Sequence, residues 1–216
     1  MAITKKKAEA TVITIPAINK QSITVKIVGE TPLVVHKWTT KAKQQLLDTM
    51  MQKAKSKKHD PKDPVEDFIE SLYWLEGMPE EYTEEAFAEA IKNGARFGFP
   101  ATAFKAATVS AGFRAGLMKD KVSTNGMFHI QGDMVEIIGT PIMREDLVRV
   151  SNGGPDIRYR GMFTEWKAEI VLTYNANVIS AEQLVNLVNY GGYACGIGEW
   201  RTEKGGEWGR YHVAEI

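Results

Sequence analysis

At 216 residues, with 44% hydrophobic and 25% charged content, the chain is sized for one domain with a full core. It holds no run of 18 apolar residues and a single cysteine, Cys195, which excludes a transmembrane helix, an internal disulfide and a cysteine-ligated metal site. Net charge is zero, which alone argues against a nucleic-acid partner. The distribution argues otherwise: residues 1–58 carry twelve Lys against Glu9, Glu30 and Asp48, and residues 59–89 carry eleven acids against Lys62. Such polarity suits either a basic phosphate-binding face with head-to-tail self-association or two solvated surfaces. The amino-terminal stretch has cations but no apolar signal region, so a cytoplasmic protein is expected, without a membrane partner.

Residues 1–20 read as an arm carrying Lys5, Lys6 and Lys7, with a loosely alternating ATVITIP at 10–16. Ser22 to Val28 alternates cleanly, with Ile23, Val25 and Ile27 on one face, and predicts a strand. After the Gly29–Pro32 break come Leu33-Val34-Val35 and a polar-aromatic cluster, His36, Lys37 and Trp38. Thr39 or Thr40 caps a helix to about Ser56, with Leu46, Leu47, Met50, Met51 and Ala54 as its apolar stripe. Asp63, Pro64 and Glu66 make a strong helix start, and Val65, Phe68, Ile69, Leu72 and Tyr73 follow at helical spacing. Thr83 caps a third helix that Gly94 ends. Residues 40–96 thus form a helical insertion in a single domain spanning 21–216.

Ala103 to about Leu117 is a fourth helix, capped by Thr102, whose Ala106, Ala107, Ser110, Ala111 and Gly112 permit close approach of another backbone. Lys105 lies near its start, where helix N–H groups favour anions. Asn125-Gly126 is a hairpin turn signal before strands at Met127–Ile130 and Met134–Ile138. Further strands run from Val148 to Tyr174 around an Asn152–Pro155 turn, and Arg158 and Arg160 share one face. Ser180 with Gln183 forms a capping box for a last helix ending at Gly191, and Arg210–Val213 closes the chain's strands.

Between them lies the most unusual stretch: seven of the twenty residues from Gly191 to Arg210 are glycine. Gly196, Gly198, Gly205 and Gly206 allow a backbone to approach phosphates, Arg201, Lys204 and Arg210 supply charge, and Trp200 or Trp208 supplies a stacking face. The plain alternative is a long turn with its tryptophans packed on the core. The order of elements is βαββαβ, an α+β, ferredoxin-like or RRM-like core with a helical insertion and a C-terminal glycine-rich loop.

Three stretches resemble the RAMP superfamily, and within it the backbone subunits of CRISPR effector complexes. They are VKIVGETPLVVHKW (Val25–Trp38), FPATAFKAATVSAGFR (Phe99–Arg114) and GIGEWRTEKGGEWGRYHV (Gly196–Val213), each similar to a family element in the same order. The resemblance implies a protein that coats single-stranded RNA side by side, with Lys105, Arg201 and the loop glycines on the backbone and His36, Lys37 and Trp38 at the nucleic acid or a neighbouring copy. A stand-alone phage or mobile-element relative would coat single-stranded DNA or imitate a CRISPR subunit. The expectation is a non-catalytic single-strand binder without cofactor or metal. The alternatives are a RAMP-type endoribonuclease with His as general acid/base, for which His36 and His212 could meet at the ends of strands of one sheet, and an assembly or decoy protein that binds other proteins.

Overall fold

The computed structural model describes residues 15–51, 62–149 and 154–214. β1 (Lys20–Gly29) follows the foreseen alternation, with Val25 and Ile27 buried and Thr24 and Lys26 exposed. β2 (Leu33–Val35) is buried throughout. Thr39 is the cap of α1 (Thr40–Met50), its hydroxyl accepting from the Ala42 N–H. α1 has Met51 as its C-cap, and residues 52–56 of the expected helix lie outside the described residues. Its apolar stripe is not inward: Leu46, Leu47, Met50 and Met51 are 45–73% exposed. α2 (Pro64–Ser71) begins as read, with the Asp63 carboxylate accepting from Val65 and Glu66 N–H groups and Phe68, Ile69 and Leu72 buried. β3 (Trp74–Glu76) gave no pattern at three residues, so segment 40–96 includes a strand. α3 (Glu84–Lys92) runs from the Thr83 cap, and Gly94 follows it at φ +82°. β4 (Arg96–Pro100) precedes α4 (Ala101–Arg114), which starts before Thr102; Pro100 holds the cap position and no side chain caps it.

The hairpin turn expected at Asn125-Gly126 is instead the end of a short helix, α5 (Lys121–Met127). Asp120 decides this: its carboxylate accepts from both the N–H and the hydroxyl of Ser123, at 2.7 and 2.8 Å, which starts a helix before the Asn-Gly pair is reached. β5 (Phe128–Ile130), β6 (Met134–Ile138), β7 (Pro141–Arg149), β8 (Pro155–Phe163) and β9 (Lys167–Asn175) follow. The turn at 150–153 and the arm's strand pattern before residue 15 lie outside the described residues. α6 (Ala181–Ala194) carries the foreseen capping box at both bonds, and β10 (Tyr211–Val213) is the last strand.

The elements make an α+β arrangement of two antiparallel sheets. The larger has the order β10-β1-β9-β6-β4-β3, with β5 also on β9; the smaller is β2-β8-β7. α4 and α6 pack against each other, and the small residues of α4 have the predicted use: a Cβ at Gly191 would stand 2.9 Å from the Thr108 backbone. α6 therefore runs on through Gly191 and Gly192 to Ala194, because both glycines are needed where the helix passes close to other backbone, Gly192 against the Tyr211 carbonyl. Phe104, Phe128, Leu172, Leu184 and Tyr211 fill the core. α2 lies across the small sheet and is tied to it by Ser71, whose hydroxyl donates to the Phe68 carbonyl and accepts from the Gly161 N–H.

Candidate nucleic-acid interface

The small sheet sets up the chemistry. Antiparallel pairing puts Arg144 opposite Arg160 and Asp146 opposite Arg158. Two guanidiniums directly across a ladder repel. Asp146 relieves this: Arg160 Nη1 donates to its Oδ2 and Arg144 Nε to its Oδ1, both at 2.9 Å. The Arg160 and Asp146 side chains are only 3% and 8% exposed. Arg160 Nε also donates to His36 Nδ1 at 3.3 Å. A guanidinium keeps its protons, so that nitrogen of His36 is the acceptor and the ring proton sits on Nε2. Burial, and then the Arg160 charge, hold the His36 imidazole below the ordinary histidine value of 6.5.

A pH dependence follows. The unfolded chain takes up a proton on His36 as pH falls through about 6.5, and the folded protein takes it up only at lower pH. Stability supplied by neutral His36 is therefore complete above pH 6.5 and is lost on acidification below it. Urea unfolding at pH 7.5 and 5.5 is expected to show this loss, and His36→Asn to reduce it.

The glycine-rich loop folds onto this cluster. Glu199 N–H donates to the Val34 carbonyl and Gly209 N–H to the Pro32 carbonyl, each at 2.8 Å, which fastens the loop to β2 and its approach. Gly196, Gly198, Gly205 and Gly209 have φ of +65° to +83°. Gly198 lies against the Val34 carbonyl, Gly206 against the Trp200 carbonyl and Gly209 against the Ile197 carbonyl, with no room for a side chain at any of them. These glycines have an internal reason: loop backbone against protein backbone. Gly205, capping the turn Thr202–Lys204, has open space around it. Trp200 is the non-glycine residue with positive φ among those described, +55°, and is 44% exposed. The Arg160 guanidinium lies 5.9 Å from its ring centre, and Arg144 lies 4.7 Å from that of Trp208.

An open cleft of about 770 Å³ runs beside the cluster; His36, Trp38, Lys41, Lys62 and Arg158 line it together with the carboxylates of Asp63, Glu66, Asp67, Asp156 and Glu199, and Asp156 pairs with both Lys62 and Arg158. Trp38 is 60% exposed there. His36, Trp38, Arg158, Arg160 and Trp200, far apart in sequence, are thus brought together. Others are not. Lys105 stands over Phe128, 3.4 Å from His129 Nδ1 at β5. Arg160 is buried in its ion pair, and Arg201 is held by Glu203 at 3.2 Å and the Gly198 carbonyl at 3.1 Å, so neither guanidinium is free for a phosphate. Arg210 lies 3.8 Å from Glu207. Lys37 is anchored by its N–H to the Ser71 carbonyl, while Lys204 and Gly205 are exposed. His36 and His212 belong to different sheets: His36 follows β2 in the small one, and His212, on β10 in the large one, faces Glu30 at 3.2 Å. The two histidines therefore do not lie at the ends of strands of one sheet, as the sequence suggested.

Sequence reasoning missed Arg144, Asp146, Tyr73 and Glu199. The alternation of Arg144, Glu145 and Asp146 on a strand was the signal available for the first two. Among the described residues no group of His, Cys, Asp and Glu is placed to hold a metal ion, and no helix is long and apolar enough to cross a membrane.

No protein-family model matches the chain, and no curated protein does. Among solved structures, it is similar to the crystal structure of Cmr6 from Pyrococcus furiosus, at 12% identity and TM-score 0.36, covering 92% of this chain and 100% of that one. It is also similar to a chain of a CRISPR RNA-guided surveillance complex, at 10% identity and TM-score 0.31, covering 80% of this chain and 59% of that one. At these scores neither comparison fixes the fold.

Proposed function

We propose that this chain is a RAMP-like protein that binds single-stranded nucleic acid, does not cut it, and multimerises head to tail along the strand. The observation that carries the reading is the convergence of His36, Trp38, Arg158 and Tyr159 on one cleft, with Trp38 exposed in it near Lys41 and the Lys62–Asp156–Arg158 ion pairs, and with Trp200 exposed close by over Arg160. Exposed aromatic faces next to cations are what a base-stacking, backbone-tracking groove requires. The sheet supports the fold part of the reading. Taking β1, β6, β9 and β10 as strands one to four, with α4 and α6 as the two helices, the order β10-β1-β9-β6 is that of a ferredoxin-like split βαβ. β4 and β3 then extend the edge beyond β6. The opposed charges of the basic 1–58 and acidic 59–89 segments support head-to-tail contact between copies.

The test is size-exclusion chromatography with light scattering, with single-stranded RNA or DNA of about 40 nucleotides, several times a usual site size. A defined complex holding several copies per strand is expected with at least one polymer, the strand staying intact on long incubation. A mass equal to protein alone with both polymers overturns the proposal. Trp38→Ala and Trp200→Ala are each expected to weaken strand binding by about 1–3 kcal/mol, read by fluorescence anisotropy.

A further inference from the structure

Three of the four ends of the two sheets are strands of three residues: β10 and β3 in the large sheet and β2 in the small one. Edges that short give another strand little to pair with. The fourth end is β7, with nine residues. β8 takes its inner side along the whole length, and no backbone hydrogen bond joins its outer side to any described residue. Ile142, Met143 and Leu147 are 46%, 41% and 74% exposed on it. Lysine is absent from this edge, and proline stands only at its first residue, so the usual guards against pairing are missing.

Arg144, Glu145 and Asp146 occupy the middle of the edge and decide what it accepts. A second copy joined edge to edge by a two-fold axis runs antiparallel and keeps each face of the sheet on its own side. Every such register is centred on one residue facing its own copy. Centring on Arg144 sets guanidinium on guanidinium and Ile142 on Asp146. Centring on Asp146 sets carboxylate on carboxylate and Glu145 on Leu147; like charges so placed repel. Centring on Met143 or Leu147 pairs only five residues of β7. Centring on Glu145 pairs all nine, with Arg144 facing Asp146, Met143 facing Leu147 and Ile142 facing Val148, each twice. Arg144 already donates to Asp146 of its own strand at 2.9 Å, so the four charges alternate in sign. The one like pair left is Glu145 on its own copy. The Tyr159 hydroxyl, opposite Glu145 on β8, donates to that carboxylate and draws it back from the edge.

We propose that two copies of this chain pair through β7, antiparallel and centred on Glu145, so that their small sheets join into one of six strands. The contact uses neither of the charged segments assigned above to head-to-tail contact. It does not rest on the single-strand reading, and its test contains no nucleic acid. Glu145→Cys and Leu147→Cys are oxidised separately with oxidised glutathione and read on non-reducing gels; melting curves confirm that each variant is folded. The native Cys195 is buried and stays out of the reaction. Directly facing residues of an antiparallel pair have Cα atoms about 4.5–5.5 Å apart, within disulfide reach. Leu147 faces Met143 of the second copy, and its own counterpart lies about 13 Å further along. Glu145→Cys is expected to form a band at twice 24.1 kDa roughly tenfold faster than Leu147→Cys. An equal mixture of Met143→Cys and Leu147→Cys chains is expected to crosslink as Glu145→Cys does. By light scattering, wild type at high concentration is expected to show the double mass and Leu147→Lys the single one. A folded Glu145→Cys chain that stays single, crosslinking at Leu147→Cys as fast as at Glu145→Cys, or a wild type that is single at every concentration would overturn the pairing and leave strand binding standing.

Discussion

Replacing Asp146 with alanine is expected to cost about 3–5 kcal/mol of stability, because it leaves a guanidinium buried without its counter-charge. Arg160 is the group stranded: its side chain is 3% exposed, so water does not take over the missing carboxylate. Arg144 loses the same partner and faces Arg160 across the ladder with nothing between them. The damage spreads to the loop, because Arg144 also lies under Trp208 and Arg160 under Trp200. In thermal unfolding the loss reads as roughly 10 °C in Tm for a chain of this size. The double change Asp146→Leu with Arg160→Met removes both buried charges and is expected to recover most of the loss. A single variant that melts within a degree or two of wild type would show that the network is solvated.

Gly209→Ala is expected to be nearly as costly, and Gly205→Ala much milder. Both positions have left-handed backbone, at φ +67° and +83°, a conformation that costs an L-residue about 1–2 kcal/mol. A Cβ at Gly209 also overlaps the Ile197 carbonyl oxygen, and backbone cannot swing aside as a side chain can. Forced repacking of that kind adds about 1–3 kcal/mol. At Gly205 nothing lies within 4 Å of a new Cβ. The pair separates two accounts of the loop. If its glycines serve internal packing, urea unfolding ranks Gly209→Ala well below Gly205→Ala. Equal effects would mean the loop backbone is not packed there and the glycines await something else.

That contrast shows what was legible in the sequence. The capped starts of α2, α3 and α6 were, since Asp63, Thr83 and Ser180 act within three residues of their own position. The alternation of β1 was legible for the same reason, and so was the small-residue face of α4. The Asn125-Gly126 turn was misread because the Asp120 cap upstream already commits the chain to helix. Glycine content marked the loop as special but not why: Gly198 and Gly209 answer to Val34 and Ile197 carbonyls, and only the folded chain brings the first of these near. The site divides the same way. His36, Trp38 and Trp200 carried visible signals as polar-aromatic clusters. Arg160 looked like a phosphate contact because the sequence hides Asp146 fourteen residues away across a ladder. Glu199, between a glycine and a tryptophan, carried no signal at all.

The most direct test of the central claim is a salt titration of strand binding. Anisotropy of a labelled single strand, RNA and DNA separately, is measured across a decade of salt with wild type and with Trp38→Ala,Trp200→Ala. The account predicts log K falling linearly with log salt, by about 0.7 for each phosphate contacted, and a double variant that keeps most of that slope while losing affinity at every salt concentration. Affinity that is flat in salt, or a double variant that binds as wild type does, would contradict it.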